Sequence, residues 1–262
     1  MFASAAQYTF RDTSTYRIFA ALPFIGFLAW GLYDFSQSHA FNPVAWFFIG
    51  LFGALFAFAC LWAAQRKITI HEEGICYKSL VSEVDLRWDE ITETRYGQAP
   101  VNYGGHFGLI GLLIATLARS SDKNLIRTFK IFGPKKISFG SNIRDIQRAI
   151  QIVLSRVNPR LRQDVERTLS AGGTVLFGNI SLSQAGVIWK SKDPIPYGSI
   201  ATCKLDGRML RIKAEGKWLD NIAITPIKVP NIFILLDMIE ERRSALGQGA
   251  RPAVAGAAGQ YL

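Results

Sequence analysis

The chain has 262 residues, of which 49% are apolar and only 19% charged, and it carries a formal net charge of +10. The apolar excess is concentrated before Arg66, which leaves one membrane-type segment followed by enough chain for two small domains. Cys60 lies in the apolar run and Cys76 and Cys203 have no partner at a metal-ligand or redox spacing, so no disulfide framework is expected; His39, His71 and His106 have no neighbouring carboxylate pattern that would suggest a metal or a triad, so neither a metal nor a cofactor is expected.

In chain order, residues 1–67 read as an N-terminal tail and a transmembrane hairpin. The first span, about 17–35, is the apolar run Ile18 to Tyr33, short and interrupted by Pro23, with Arg17 able to snorkel and Tyr16 and Tyr33 at the interfaces. The second, about 44–64, runs from Val44 to Ala64 with no charge or proline, and at about 1.5 Å per residue it covers roughly 30 Å, the hydrocarbon thickness of a bilayer. Between them Ser36 to Pro43 is polar, turn-like and free of Lys and Arg. Arg11 and Arg17 precede the first span and Arg66 and Lys67 follow the second, so the positive-inside rule puts both termini in the cytoplasm. The competing reading is a signal peptide cleaved near Ser38-His39-Ala40, which is disfavoured by the long charged lead and the second span that follows at once.

Residues 68–157 form the first expected domain. Ile68 to His71 and Ile75 to Lys78 alternate around the turn Glu72-Glu73-Gly74, which predicts a hairpin; further strands are expected at Leu86 to Ile91, Leu125 to Phe132 and Lys136 to Phe139. From Ile143 to Leu154 apolar residues recur at steps of three and four, which predicts one helix with Asn142 as N-cap and Asn158-Pro159 as stop. The stretch 99–118 breaks this plan. Its apolar part, Phe107 to Ala118, is too short to span a bilayer, and two readings stand: a segment on the membrane interface or against a partner, through Phe107, Leu109, Ile110, Leu112 and Leu113, or a helix packed on its own domain.

Residues 158–173 read as a helical linker ended by Gly172-Gly173, and 174–246 as a second copy of the first domain. Ile180 to Lys190 matches Ile68 to Lys78, with Gly186 over Gly74, an offset of 186 minus 74, or 112. Tyr197 to Ile200 matches Trp88 to Ile91 at an offset of 109. The copy continues with strands at Thr202 to Leu205, Met209 to Lys213 and Trp218 to Ile224, turns at Asp206-Gly207 and Glu215-Gly216, and a last helix whose face is Ile232, Leu235, Leu236 and Ile239. Residues 247–262 read as a disordered tail. The fold class is therefore an α-helical transmembrane hairpin followed by two α+β domains of pleckstrin-homology-like (PH-like) type, antiparallel strands closed by a C-terminal helix.

Gly216-Lys217-Trp218-Leu219, Val229 to Leu236, Trp88-Asp89-Glu90-Ile91 and the hydrophobic hairpin resemble an uncharacterised family of bacterial membrane proteins with PH-like domains. The resemblance implies fold and anchoring at the bacterial inner membrane, and no activity.

No nucleophile elbow, HExxH or phosphate-binding glycine loop is present, and the adjacent carboxylates Asp89-Glu90 read as a solvent-facing turn, so no enzyme is expected. Strand alternation puts Arg211 and Lys213 outward beside Thr202 and Lys204, and with Arg208 and Lys217 they make a candidate contact for phosphates or lipid head groups; the plainer reading is a solvated strand face, interspersed with Asp206, Glu215 and Asp220. Trp88 and Trp189 read as packing residues. Nucleic acid is not expected, because the positive charge is diffuse and no recognition motif accompanies it. The expected function is a membrane-anchored, non-catalytic interaction or assembly module, with a peripheral anionic-lipid sensor as the alternative.

Overall fold

The computed structural model describes residues 7–12, 15–38, 43–100, 125–206 and 208–246. The described chain is a mixed α+β protein of small antiparallel sheets and four α-helices, arranged in two compact units.

The first unit comprises the chain up to Arg87 together with Asn142–Ile146. Its sheet has the order β1 (Tyr8–Arg11), β2 (Lys67–Ile70), β3 (Gly74–Lys78), β4 (Glu83–Arg87). Alternation buries Phe10, Ile68, Ile70, Ile75 and Leu86 on one side. The residues expected to form only a tail thus contribute an edge strand: Tyr8 pairs with Ile70, Phe10 with Ile68 and Arg11 with Lys67. Two helices, α1 (Thr15–Ser38) and α2 (Pro43–Gln65), lie in the chain between those paired strands.

At the base of the helices, Asp12 forms a bridge with Ile143, its carboxylate lies 3.6 Å from the Arg66 guanidinium, and it accepts a 3.1 Å hydrogen bond from Asn142 Nδ2. Asn142 is therefore not an N-cap, as its side chain is committed to Asp12 and the next helix begins four residues later. Above the base the two helices run antiparallel. Phe27 stacks on Phe48 at 5.0 Å and on Phe52 at 4.8 Å, and Phe24 stacks on Phe56 at 5.9 Å. Gly31 permits the approach, since a Cβ there would come within 2.6 Å of Ile49 Cδ1.

The second unit comprises Trp88–Ser141 and everything from Gln147 onward. Its described residues hold three three-stranded antiparallel sheets: β5 (Glu93–Pro100), β6 (Leu125–Phe132) and β7 (Lys136–Gly140); β8 (Val175–Phe177), β9 (Ile180–Leu182) and β10 (Val187–Trp189); and β11 (Ile200–Asp206), β12 (Met209–Ala214) and β13 (Ile222–Ile224). Among the described residues its α-helices are α3 (Ile146–Ser170) and α4 (Ile232–Ala245).

Helix α3 runs through Pro159 instead of stopping there. The apolar stripe explains this: Ile150, Val153, Leu154, Val157, Leu161, Val165 and Leu169 are buried in one continuous series across the proline, and the packing outweighs the one hydrogen bond that proline cannot donate. The expected domain boundary near residue 157 consequently falls inside a helix. Helix α4 is also more deeply embedded than a one-faced helix, with Phe233, Ile234 and Met238 buried as well as the predicted face. Its start is tied to β5: Asn231 Oδ1 accepts from Thr94 N at 2.8 Å, Asn231 N donates to Thr94 O at 2.7 Å, and the Phe233 and Tyr96 rings lie 5.4 Å apart. The closing helix of the second copy thus packs on a strand of the first, and the compact units cut across the expected domains.

The two hairpins that match in sequence share one strand register. Ile70 pairs with Ile75, Thr69 with Cys76 and Ile68 with Tyr77; in the second copy Leu182 pairs with Val187, Ser181 with Ile188 and Ile180 with Trp189, each shifted by 112. His71 N donates to Gly74 O and Ser183 N to Gly186 O in equivalent turns. Gly186 has φ +154°, and a Cβ there would lie 2.1 Å from Ile195 O, so only glycine fits. The 3-10 turns Trp88–Glu90 and Tyr197–Ser199 correspond at the offset of 109, and β8 pairs with β9 as β1 does with β2. Asp145 and Asn231, each just before a closing helix, both adopt left-handed backbone, φ +55° and +48°.

Candidate membrane and partner surfaces

Helix α2 begins at Pro43, where a missing N–H costs nothing and the fixed φ suits a first turn, and it ends before Arg66. Among the described residues it is the one helix long and apolar enough to cross a membrane, and only 11% of its segment Pro43–Leu61 is buried inside the protein. The exposed residues Val44, Phe47, Leu51, Leu55, Phe58 and Leu61 recur at steps of three and four, a stripe pointing away from α1. A soluble core helix would bury that stripe. Helix α1 carries Ile25, Trp30, Leu32, Tyr33 and Phe35 exposed.

On the sheet β11–β12–β13 the register sets Thr202 opposite Lys213, Lys204 opposite Arg211 and Arg211 opposite Ala223, so these side chains share one face, with Leu210 and Ile212 on the buried side. Arg211 is committed within that face: its Nη1 lies 2.7 Å from Asp220 Oδ2 and its Nε 3.5 Å from Asp206 Oδ2. Arg208 and Lys217 are exposed in the two flanking turns. The strand face thus holds one neutralised arginine among lysines, a weaker phosphate cradle than the spacing suggested.

The loop from Glu215 to Asn221 differs from expectation most. Strand β13 begins at Ile222 rather than at Trp218, and Trp218 and Leu219 are 94% and 76% exposed. The loop is braced at its base, where Asn221 Oδ1 accepts from Ala214 N at 2.9 Å, Asn221 N donates to Ile212 O at 2.9 Å, and Asp220 is held by Arg211. The signal was readable in Glu215-Gly216-Lys217 and Asp220-Asn221, turn residues that enclose the two apolar ones. Phe107, Leu109, Ile110, Leu112 and Leu113, with most of the 99–118 stretch, lie outside the described residues, as does the 247–262 tail.

Trp88 and Trp189 are half-buried, outside the sealed core, and Lys190 Nζ sits 5.1 Å over the Trp189 ring. A second grouping escaped the linear spacing: the β3–β4 register puts Cys76 opposite Asp85, and the Cys76 Sγ and the Glu83 and Asp85 carboxylates lie within 4.8 Å of one another. The thiol donates to Glu83 Oε1 at 3.7 Å. Burial and then the two carboxylates push the Cys76 thiol up to about 12, so it stays protonated and unreactive at neutral pH. Burial likewise pushes Cys203 up to about 12.

The chain belongs to a family of unknown function, DUF6585, whose model matches residues 115–248. That span includes β6 through α4 and leaves out α1, α2 and the first sheet. No curated protein and no solved structure matches.

Proposed function

We propose that the chain is an integral, non-catalytic interaction or assembly module of the bacterial inner membrane, in which α1 and α2 cross the bilayer as a hairpin and two PH-like arrays face the cytoplasm. The observation that carries this reading is the exposed apolar stripe of α2, reinforced by the pairing of Arg11 with Lys67. Because the chain leaves and returns at neighbouring residues of one sheet, a bilayer crossing by α2 requires a return crossing, and α1 is the segment available for it. The PH-like reading rests on the chain order of each copy: strands β1 to β4, then β5 to β7 and the helix α3; and β8 to β10 with the Val187–Ile195 bridge, then β11 to β13 and α4.

A protein partner or a second copy of the chain is the occupant this reading assigns. A specific phosphate cradle centred on Arg211 of the strand face is less favoured because Asp206 and Asp220 occupy that guanidinium, which leaves only diffuse attraction by the neighbouring lysines. Alkaline carbonate extraction followed by in-membrane crosslinking tests the proposal. The chain should remain in the pellet and crosslink to a discrete protein or to itself; release into the supernatant would refute the anchoring.

A further inference from the structure

We infer that the loop Glu215 to Asn221 is a membrane-docking tip, in which Trp218 and Leu219 enter the interface of an anionic leaflet while Lys213 and Lys217 meet its head groups. The inference rests on the anchored reading of α2, which keeps the rest of the chain within reach of a bilayer.

Single exposed apolar residues, such as Leu176 and Leu246 in the same unit, need no explanation. Trp218 and Leu219 are different because they are consecutive, almost fully exposed, and displayed on a loop whose two limbs are fixed by Asn221 and by the Arg211–Asp220 ion pair. The tip is therefore held out in a defined shape. Tryptophan joins a large apolar surface to an indole N–H donor, a combination suited to the boundary between acyl chains and head groups.

The local charge fits the same surface. Of the three acidic side chains around the tip, Asp206 and Asp220 are spent on Arg211. With Arg211 shared between those two aspartates, the five cations Lys204, Arg208, Arg211, Lys213 and Lys217 outnumber the three acids Asp206, Glu215 and Asp220, and the four other than Arg211 make no ion pair among the described residues, so the loop and strand present a modest net positive charge beside the apolar pair. A convex knob of two side chains needs a matching pocket on a protein, whereas a leaflet admits it without shape complementarity.

The test uses the full chain reconstituted in vesicles, with a nitroxide on Leu219→Cys in a background of Cys60→Ser, Cys76→Ser and Cys203→Ser, its folding checked by thermal melting. In vesicles rich in phosphatidylglycerol the label should be reached by dissolved oxygen and shielded from a water-soluble nickel chelate. In phosphatidylcholine alone, or at high salt, it should become nickel-accessible. Lys217→Ala should lower the embedded population about fivefold. A label open to nickel in every vesicle would overturn the inference, and so would one shielded from both reagents, which marks burial against protein. Carbonate extraction of the same vesicles separates the two claims: a retained chain with a nickel-accessible label removes the tip alone, and a released chain removes the anchor.

Discussion

Two stretches of the chain that match in hairpin register, here called the first and second copies, connect an antiparallel strand pair, β1–β2 in one and β8–β9 in the other, in opposite ways. In the second copy β8 and β9 are joined by Gly178 and Asn179; in the first, β1 and β2 are separated by everything from Asp12 to Arg66, including both long helices, and yet they pair in the same antiparallel manner. The contrast shows that the end of a β-hairpin accepts a large insertion when its base is closed, here by Asp12 with Arg66 and Asn142. The helical pair is thus built into a sheet, not attached ahead of one. A second contrast follows: the turn between β6 and β7 is Gly133-Pro134-Lys135, whereas the equivalent turn between β12 and β13 carries Trp218 and Leu219.

The most severe way to break this comparison is to give the first copy the turn of the second. Replacing residues 12–66 by Gly-Asn should abolish carbonate-resistant membrane association, leaving at most salt-sensitive binding, while amide exchange at Ile68 to Ile70 stays protected if β1 still pairs; persistence in the carbonate-washed membrane fraction would show that another segment anchors the chain. A smaller effect comes from the turn shared by both copies. Gly186→Ala forces a Cβ onto Ile195 O and should cost about 3 kcal/mol or more in urea unfolding, against about 1 kcal/mol for Gly216→Ala, where φ is +70° but no atom lies within 4 Å.

The helix entries sharpen the comparison further. Asn231→Gly keeps the left-handed backbone but removes the acceptor of the Thr94 N–H, and should cost about 2 kcal/mol. Asp145→Gly, at the equivalent place but with an exposed side chain, should change stability by no more than about 0.5 kcal/mol. Urea unfolding of the two variants compares them.

The smallest effect concerns Asp237 of α4, whose carboxyl is raised above its ordinary value by burial, with Arg162 opposing and Glu241 adding to the shift. A raised folded-state value means that the native chain holds this proton more tightly than the unfolded one. The resulting stabilisation is present below the ordinary carboxylate range and is lost as pH rises through the folded value. Asp237→Asn should therefore raise the melting temperature slightly near neutral pH, with the gain shrinking toward acid. A gain that grows toward acid would contradict the assignment.

Much of this architecture was legible because it is local. Alternation about Gly74 and Gly186 gave both central hairpins and their offset, and the long uncharged run from Val44 gave α2. Strand β1 was not legible, since Tyr8–Arg11 is four residues long and its partner lies beyond two helices, so nothing nearby marks it. Pro159 was read as a stop although Val157, Leu161, Val165 and Leu169 carried the helical stripe straight through it, and packing prevailed over local preference. Trp218 was read as a strand residue because aromatics favour strands, yet the turn residues around it decided its place. The acidic pairing that neutralises Arg211, and the meeting of Cys76 with Asp85, depend on register and were beyond linear spacing.

The central claim is that the chain leaves one sheet, crosses the bilayer and returns to the same sheet. Single cysteines at Gln37 and at Lys67, in a chain lacking its three native cysteines, test it most directly with a membrane-impermeant maleimide on intact spheroplasts. Labelling of the Gln37 position from outside, with the Lys67 position reactive only after lysis, is the predicted result. Labelling of both positions from the same side would contradict it.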